Sequence, residues 1–301
     1  MKAFQFNEYG GPEVLFEADI QEPQAGPGQI RIAVRAAGVN PSDWKRRAGQ
    51  YRDFEALSFP SGVGVEASGL VDEVGLGVSN VSIGDAVFGF GTGTVAQFAV
   101  LTHWALKPDD LPFEAAAGLP VIVETALRSL DEIGVTRSET LLVSGAAGGI
   151  GSAVLQIARH RGISVIGTAS PGKHGYLRDL GAVPVAYGPG LAERVRPLAP
   201  GGVDAALDLA GSGIIPELIG IVGSPSRVLS VADFTAPQFG ARFSSGPPKH
   251  PERVLAEAAQ LYSEGGFRLH LEQVFPFERT AEAHARSAAG HVTGKLVIAV
   301  A

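Results

Sequence analysis

The sequence predicts an α/β protein in which a small barrel of closely spaced strands is followed by a parallel, doubly wound sheet. Two patterns carry this prediction. Short strand-like runs separated by glycine and proline fill the first third of the chain, and strand-like and helix-like segments alternate through its middle. Composition agrees, because 45% of the 301 residues are hydrophobic and 18% are charged, as expected of a globular chain rather than a disordered one.

The strand-like runs of the first third have the period of two that half-buried strands require. The clearest run covers residues 29–39, where Ile30, Ile32 and Val34 alternate with other residues. The other runs cover residues 1–6, 64–75, 85–91 and 94–103. Short strands at this spacing predict a small barrel.

From Leu111 the apolar residues recur at helical spacing, and Pro120 is expected to separate two helices. Strand-like runs follow at Thr140–Val143, Ser164–Gly167, Val183–Ala186, Ala205–Asp208 and Arg227–Val231. Helix-like segments between them begin near Gly149, Lys173, Leu191 and Ile214. Such alternation predicts βα units and a parallel sheet. The remaining chain predicts a helix at 250–266, a strand at 271–277, a helix at 278–290 and a strand at 295–300.

Charge and composition exclude several classes of function. The formal charge is −7 and no run of Lys and Arg forms a basic stripe, so neither nucleic acid nor a membrane is an expected partner. No apolar run has the length of a membrane span, and the N-terminus lacks the pattern of a signal peptide, so we expect a cytoplasmic protein. With no cysteine, the chain has no disulfide, no thiolate metal site and no cysteine nucleophile. The histidines have no metal-like spacing, and we expect no metal.

A glycine-rich turn between a strand and a helix predicts a dinucleotide site. Gly145, Gly148 and Gly151 follow the apolar run TLLVS and precede a helix of small and aliphatic residues. Glycine permits the tight turn, lets a pyrophosphate approach the backbone and allows the helix to pack closely on the strand. The helix N-terminus offers N–H groups to the phosphates. The expected contacts are Ala147, Gly148, Gly149 and Ile150.

The end of the next strand favours NADPH over NADH. An NAD site usually has a carboxylate about 20 residues after the turn, where it accepts hydrogen bonds from the adenosine ribose. This chain has Thr168, Ala169 and Ser170 there, and no carboxylate to repel a 2′-phosphate. Ser170 can donate a hydrogen bond to that phosphate, and Lys173 supplies a positive charge. The alternative is that Ser170 only caps the following helix and that Lys173 is a solvated lysine.

Four segments together resemble one family. They are GVNPSDWKRRAG at 38–49, GVEASGLVDEVG at 64–75, SGAAGGIG at 144–151 and AEAHARSAAGHVTGKLVIAV at 281–300. These segments resemble the zinc-free branch of the medium-chain dehydrogenase/reductase superfamily, the quinone oxidoreductase and enone (alkenal) reductase group. The similarity runs almost from end to end of the chain.

The resemblance implies a GroES-like β-barrel catalytic domain at 1–115 and a Rossmann NADPH-binding domain at 116–264. Residues 265–301 would return to the catalytic domain, and the nicotinamide would lie in a cleft between the two. Tyr187 would contact the 2′-phosphate of the adenosine ribose, Thr125 and Val231 the nicotinamide, and Lys295 the cofactor. The first three have plain alternatives as a strand-end tyrosine, a helix threonine and a core valine. A homodimer or homotetramer is also implied, with an edge strand near residues 239–244 pairing across subunits.

Departures from the zinc-dependent relatives bear on the mechanism. Those relatives have a cysteine where Asn40 stands and a histidine where Val65 stands, so metal catalysis is excluded and Glu66 is interpreted as structural. Many quinone oxidoreductases have a tyrosine where Lys45 stands, whereas several enone reductases have a lysine. Lys45 therefore shifts the expected small-molecule substrate from simple quinones towards activated alkenes.

The expected reaction is hydride transfer from NADPH to a quinone or to the C=C bond of an α,β-unsaturated carbonyl. Lys45 would donate to the carbonyl oxygen or to the nicotinamide ribose, Asn40 would position the ring or the substrate, and water would supply the proton. Alternatively, Asn40 forms an Asx turn, and Lys45 and Arg47 form a solvated helical face. Tyr51 and Phe243 are pocket walls or plain core aromatics.

Two other functions compete with this one. An enoyl reductase acting on carrier-bound acyl thioesters would need a basic surface, to which Arg46, Arg47 and Arg52 could contribute. A non-catalytic, crystallin-like protein would bind NADPH without turnover. The presence of both Asn40 and Lys45 argues against the second alternative.

Overall fold

The computed structural model describes residues 1–53 and 55–300. Two compact units divide the chain. The first contains Met1–Val121 together with the residues from His250 onwards, and the second contains Ile122–Lys249. Among the described helices, none has the length and apolar character needed to cross a membrane.

The strands are numbered in chain order: β1 (Lys2–Phe6), β2 (Phe16–Asp19), β3 (Ile30–Val39), β4 (Ser61–Gly62), β5 (Glu66–Val74), β6 (Ala86–Gly91), β7 (Phe98–Leu106), β8 (Thr140–Ser144), β9 (Ser164–Thr168), β10 (Val183–Val185), β11 (Ala205–Asp208), β12 (Val228–Ser230), β13 (Arg242–Phe243), β14 (Leu271–Pro276) and β15 (Lys295–Ala299). The α-helices are α1 (Pro41–Arg47), α2 (Phe113–Ala117), α3 (Leu119–Ile133), α4 (Gly149–His160), α5 (His174–Asp179), α6 (Leu191–Val195), α7 (Ile215–Val222), α8 (Pro251–Ser263) and α9 (Thr280–Ala288).

The first unit contains the predicted barrel. Its six-stranded sheet has the order β14-β15-β3-β5-β6-β7, and a further pairing of β3 with β7 curls the sheet back on itself. β3 can take part in three pairings because irregularities between Arg31 and Ile32 and between Val34 and Ala36 bend it. The bend lets the first half of β3 pair with β7 and its second half pair with β15.

A second, three-stranded sheet of the first unit, β2-β1-β4, was only partly predicted. β2 and β4 escaped detection because β2 is largely exposed and β4 is two residues long, so neither has an apolar alternation. β1 supplies buried Phe4 and Phe6 to the core of the unit. Phe4 packs edge-on against Phe277 of the returning chain, with the ring centroids 5.0 Å apart.

The helix α8 lies in the first unit, although the sequence placed it at the end of the nucleotide-binding domain. It runs beside β7, where His103 Nε2 is 3.4 Å from Glu252 Oε1. Further along the same helix, the hydroxyl of Tyr262 donates to the carbonyl of Asp110 at 3.1 Å. An amphipathic helix has the same sequence pattern whichever sheet it covers, so the pattern alone does not assign it to a unit.

The second unit has the doubly wound order that the sequence predicts. Its parallel strands are arranged β10-β9-β8-β11-β12-β13, which places the switch in strand order between β8 and β11. Ligands of such sheets bind at the carboxyl ends of the strands on either side of this switch. The predicted strand near 239–244 is β13 alone, because Ala236–Phe239 forms a 3-10 helix.

The two helices that follow β7 in the chain, α2 and α3, are separated by Gly118 rather than by Pro120. α2 ends at Ala117, and α3 begins at Leu119 with Pro120 in its first turn. Proline is tolerated there because the first N–H groups of a helix have no intrahelical acceptor.

Candidate functional site

The glycine-rich turn follows β8, directly beside the switch in strand order. Gly145 has a φ of 77°, a backbone conformation that favours glycine. Its N–H donates to the Thr168 hydroxyl at 3.2 Å, and the N–H of Ala146 donates to the Thr168 carbonyl at 3.2 Å. The turn is thus fixed to the end of the neighbouring strand β9.

Two glycines of this turn have different tasks. A Cβ on Gly151 would lie 2.5 Å from the carbonyl oxygens of both Gly145 and Ala146, so only glycine lets α4 pack this closely on the turn. Gly148 is the N-cap of α4, and no side chain makes a capping hydrogen bond there. The first N–H groups of this twelve-residue helix are therefore not covered by a cap, which fits the pyrophosphate of a dinucleotide.

The end of β9 carries the residues predicted to bind a 2′-phosphate. Ser170 precedes the 3-10 helix Pro171–Lys173, but its side chain makes no capping hydrogen bond. This disfavours the alternative in which Ser170 serves only as a cap. Lys173 ends the same short helix and is half-buried. Tyr187 lies on the loop after the adjacent strand β10 and is 52% exposed.

The sequence analysis did not identify the role of a buried carboxylate, Asp208, on one of the two strands that flank the switch in strand order. Asp208 ends β11, and its Oδ1 accepts hydrogen bonds from the N–H groups of Ala210 and Gly211, both at 3.1 Å. Its Oδ2 accepts one from the Ser230 hydroxyl at 2.8 Å. Asp208 also accepts the N–H of Val231 on its main-chain carbonyl at 3.1 Å. Asp208 therefore fixes the loops that follow β11 and β12, one of which holds Val231.

Thr125 is buried on α3 within a polar network. Its hydroxyl donates to Glu124 Oε2 at 3.2 Å, and Glu124 Oε1 accepts from Arg128 Nε at 2.7 Å. The guanidinium of Arg128 also contacts the hydroxyl of Ser244. Phe243 packs against Phe234 with centroids 4.9 Å apart and lies at the edge of the apolar core. Glu124 and Arg128 are four residues apart on a predicted helix, and this spacing could have indicated their ion pair from the sequence.

In the first unit, Asn40 is the N-cap of α1. Its side chain accepts from the backbone three residues on, and its own N–H donates to Asp43 Oδ2 at 2.7 Å, which completes a capping box. The hypothesis of a local turn is thus replaced by a helix cap. The capping box holds the Asn40 backbone in one conformation.

The side-chain amide of Asn40 joins a buried ion pair. Lys295 Nζ donates to Glu66 Oε1 at 2.7 Å and to Asn40 Oδ1 at 2.5 Å, and Asn40 Nδ2 donates to the same Glu66 oxygen at 2.8 Å. Glu66 Oε2 accepts the N–H of Val121, in the first turn of α3, at 2.8 Å. Exposed fractions are 3% for Asn40, 0% for Glu66 and 3% for Lys295. The amide orientation of Asn40 is therefore fixed, with Oδ1 towards the ammonium of Lys295 and Nδ2 towards the carboxylate of Glu66.

Asp43 adds a second carboxyl group to this cluster. The pKa of Asp43 is raised from 3.8 to about 7, chiefly by burial and to a smaller extent by the charge of Glu66, while the N–H of Asn40 and the charge of Lys295 oppose the shift. The folded state therefore binds the Asp43 proton more tightly than the unfolded state.

Asp43→Asn is expected to flatten the pH dependence of stability. Because the folded pKa is raised, the free energy of unfolding of the wild type falls as pH rises from about 4 to about 7, by roughly 4 kcal/mol at about 1.4 kcal/mol per pKa unit. Asparagine keeps an acceptor for the Asn40 N–H but does not titrate. Urea unfolding at several pH values measures the difference. Parallel curves for the two proteins would contradict the prediction.

The other side chains of α1 and the following turn differ in exposure. Lys45 is half-buried, with Nζ 5.8 Å from the centroid of the Trp44 ring. Tyr51 is half-buried, and burial raises the pKa of its hydroxyl. Arg47 is only 2% exposed, so the interpretation of Lys45 and Arg47 as a solvated helical face was wrong for Arg47.

The arginines proposed to attract an acyl carrier do not form a basic surface. Arg47 is buried, and Arg46 Nη2 is 2.6 Å from Glu55 Oε1. Arg52 is exposed beside Asp53, with a separation of 3.8 Å between charged atoms. The adjacent carboxylates offset most of the positive charge, which weakens the enoyl reductase alternative.

The structure thus gathers the predicted residues into two groups. Asn40 and Lys295 meet in the first unit, with Lys45 on the helix that Asn40 caps. The turn residues, Ser170, Lys173, Tyr187 and Val231 follow parallel strands of the second unit at their carboxyl ends. Among residues 1–53 and 55–300, no group of three or more His, Asp or Glu is placed to hold a metal ion.

Comparisons with known proteins show which families and structures the chain resembles. Residues 26–109 match the family described as alcohol dehydrogenase GroES-like domain, and residues 180–298 match the family described as zinc-binding dehydrogenase. The chain is 31% identical to the chloroplastic NADPH-dependent alkenal/one oxidoreductase of Arabidopsis thaliana, over 99% of this chain and 79% of that protein. It is 31% identical to a quinone oxidoreductase of Pseudomonas aeruginosa, over 99% of both chains. The structure of mycobacterial Rv1454c complexed with NADPH is 28% identical, covers 100% of both chains and has a TM-score of 0.88.

Proposed function

The chain belongs to the quinone and enone reductase group of the medium-chain dehydrogenase/reductase superfamily, and from this premise we propose that it is an NADPH-dependent, metal-free oxidoreductase. Its substrate is a quinone or the C=C bond of an α,β-unsaturated carbonyl. A single observation carries the proposal. The uncapped N-terminus of α4 lies at the switch point of the sheet, and the neighbouring strand ends without a carboxylate.

A bound NADPH would supply the hydride. The chain's own residues then have two tasks. In the second unit, Ala147, Gly148, Gly149 and Ile150 present backbone groups to the pyrophosphate, and Ser170, Lys173 and Tyr187 bind the 2′-phosphate. Thr125 and Val231 would contact the nicotinamide, held by the networks around Glu124 and Asp208.

In the first unit, the proposed catalytic groups belong to one helix and its cap. When hydride reaches the β-carbon of an enone, negative charge gathers on the carbonyl oxygen, and a fixed donor at that oxygen lowers the barrier. We assign this donor role to Lys45. Asn40 would orient the substrate or the nicotinamide, since its amide nitrogen keeps one N–H beyond its bond to Glu66. No general acid is assigned, and water protonates the α-carbon.

NADPH oxidation measured over quinones, alkenals, cyclic enones and enoyl thioesters tests this proposal. We expect turnover with alkenals or enones to exceed turnover with simple quinones, because Lys45 stands where a tyrosine would favour quinones. Turnover of enoyl thioesters alone would support the carrier-linked alternative. Tight NADPH binding without turnover on the whole panel would instead identify a crystallin-like protein.

Lys173→Ala is expected to raise the KM for NADPH by about tenfold or more, the loss typical of a charge-assisted hydrogen bond. The KM for NADH should change much less, because only NADPH carries the 2′-phosphate. Lys249→Ala is a matched control, since Lys249 belongs to the same unit and its side chain is 75% exposed. Equal effects on the two cofactors would refute the assignment of Lys173.

Tyr51 and Phe243 remain predicted substrate contacts, and Lys295 remains a predicted cofactor contact besides its bond to Asn40. A homodimer or homotetramer and a cytoplasmic location also stay predictions. The position of β13 at the edge of its sheet is compatible with pairing between subunits.

A further inference from the structure

The side chain of Arg194 bonds the backbone of the loop that carries Tyr187 at three places. Its Nε donates to the carbonyl of Ala186 at 3.1 Å, its Nη2 to that of Gly188 at 2.7 Å and its Nη1 to that of Pro189 at 2.8 Å. Each of the three guanidinium nitrogens thus donates to a backbone carbonyl within residues 186–189. The planar shape of the group fixes these three carbonyls relative to one another.

At the end of the loop the N–H of Leu191 donates to Glu217 Oε1 at 3.1 Å, whereas the residues around Tyr187 restrain the loop only weakly by themselves. Gly188 and Gly190 have φ values of 95° and 80°, a conformation that favours glycine and makes the segment flexible in the unfolded chain. Tyr187 is 52% exposed, so packing restrains only part of its ring. Arg194 itself is well anchored, because α6 carries it between Leu191 and Val195, which are both buried.

We propose that Arg194 is a positioning residue that selects NADPH by holding Tyr187 where its hydroxyl meets the 2′-phosphate. The inference rests on the proposed function and names a residue that the family motifs quoted above do not contain. Ordering the loop before the cofactor binds removes an entropic cost from binding. The benefit goes mainly to NADPH, because NADH carries a hydroxyl in place of the 2′-phosphate.

A direct bond from Arg194 to the phosphate is the competing role. The geometry disfavours it, because three of the five N–H groups already donate to carbonyls and all three point at the loop backbone. The two roles predict different results when Tyr187 is also changed. A positioning residue loses its effect once the side chain it positions has lost its hydroxyl, whereas a direct ligand keeps its effect.

The experiment is a double-mutant cycle of Arg194→Gln and Tyr187→Phe, with KM measured for NADPH and for NADH. We expect Arg194→Gln to raise the KM for NADPH by about threefold to tenfold and the KM for NADH by less than about twofold. In the Tyr187→Phe background, Arg194→Gln should add less than about twofold. Arg196→Gln is the control, since Arg196 is exposed at the end of the same helix.

Amide hydrogen exchange of the cofactor-free protein provides a readout independent of turnover. Arg194→Gln should speed exchange in residues 186–190, while Tyr187→Phe and Arg196→Gln should not. The inference would be overturned if Arg194→Gln left the exchange of residues 186–190 unchanged. It would also be overturned if the effects of Arg194→Gln and Tyr187→Phe on the KM for NADPH were additive, or if Tyr187→Phe did not change that KM. A wild type without preference for NADPH would instead refute the proposed cofactor. If Arg194→Gln fails to fold, Arg194→Lys, which keeps the charge but not the planar fork, replaces it in the cycle.

Discussion

Lys295→Met is expected to destabilise the protein by about 3–5 kcal/mol, the usual cost of breaking a buried ion pair by removing one partner. The variant leaves Glu66, which is 0% exposed, as an uncompensated charge in the core of the first unit. It also removes the donor to Asn40 Oδ1, so the amide loses its fixed orientation. Urea unfolding measures the loss of stability, and steady-state kinetics should give a lower kcat for the protein that remains folded.

A second variant separates charge from packing. In Glu66→Gln/Lys295→Met both charges are gone, so we expect much of the lost stability to return, as when buried ion pairs are replaced by neutral groups. Activity should stay low, because Asn40 still lacks the ammonium. A double variant no more stable than Lys295→Met would show that the charge of Glu66 is not the cause.

Gly151→Ala is expected to lower the affinity for NADPH by about fivefold to a hundredfold, since overpacking a close contact costs about 1–3 kcal/mol and displaces the backbone. The added Cβ would stand 2.5 Å from the carbonyl oxygens of Gly145 and Ala146, and backbone atoms cannot yield as a flexible side chain can. The N-terminus of α4 must then move away from the turn that it completes. Fluorescence titration with NADPH measures the affinity, and thermal unfolding measures the accompanying loss of stability.

Gly220→Ala provides the matched control for this variant. Gly220 also lies in a helix of the second unit, but a Cβ there would meet no atom within 4 Å. Alanine is the better helix former, so Gly220→Ala should be neutral or slightly stabilising and should bind NADPH normally. Normal NADPH binding by Gly151→Ala would mean that the turn does not hold the pyrophosphate.

The sequence predicted the second unit well because its signals are local. Each strand end, the glycine turn and the missing carboxylate lie within a short stretch of chain, where period and composition are informative. Glu66 was interpreted as structural because its motif suggested a zinc site, and this chain has neither the cysteine nor the histidine of that site. Its partners lie far away, since 26 residues separate Glu66 from Asn40 and 229 separate it from Lys295. No local pattern connects side chains at such separations.

Arg47, Arg194 and α8 were missed or misplaced for related reasons. Arg47 and Arg194 are charged residues on short helices, where exposure is the ordinary expectation, yet one is buried and the other bonds three backbone carbonyls. The apolar face of α8 predicts burial but not the surface against which the helix lies. In each case the exposure or the contacts depend on tertiary packing, which residue type and local pattern do not determine.

The buried ion pair also constrains the order of events during synthesis on the ribosome. Asn40 and Glu66 are translated early, but their ammonium partner lies on β15, the last strand of the described chain. The second unit, Ile122–Lys249, is by contrast contiguous, and its whole sequence emerges before β15 does. Since domains fold largely as they emerge, the nucleotide-binding unit can be native while β3 still lacks β15 as a neighbour. Until β15 emerges, the nascent barrel has an open strand edge at β3 and a carboxylate without its ammonium partner, two features that favour aggregation of a folding intermediate.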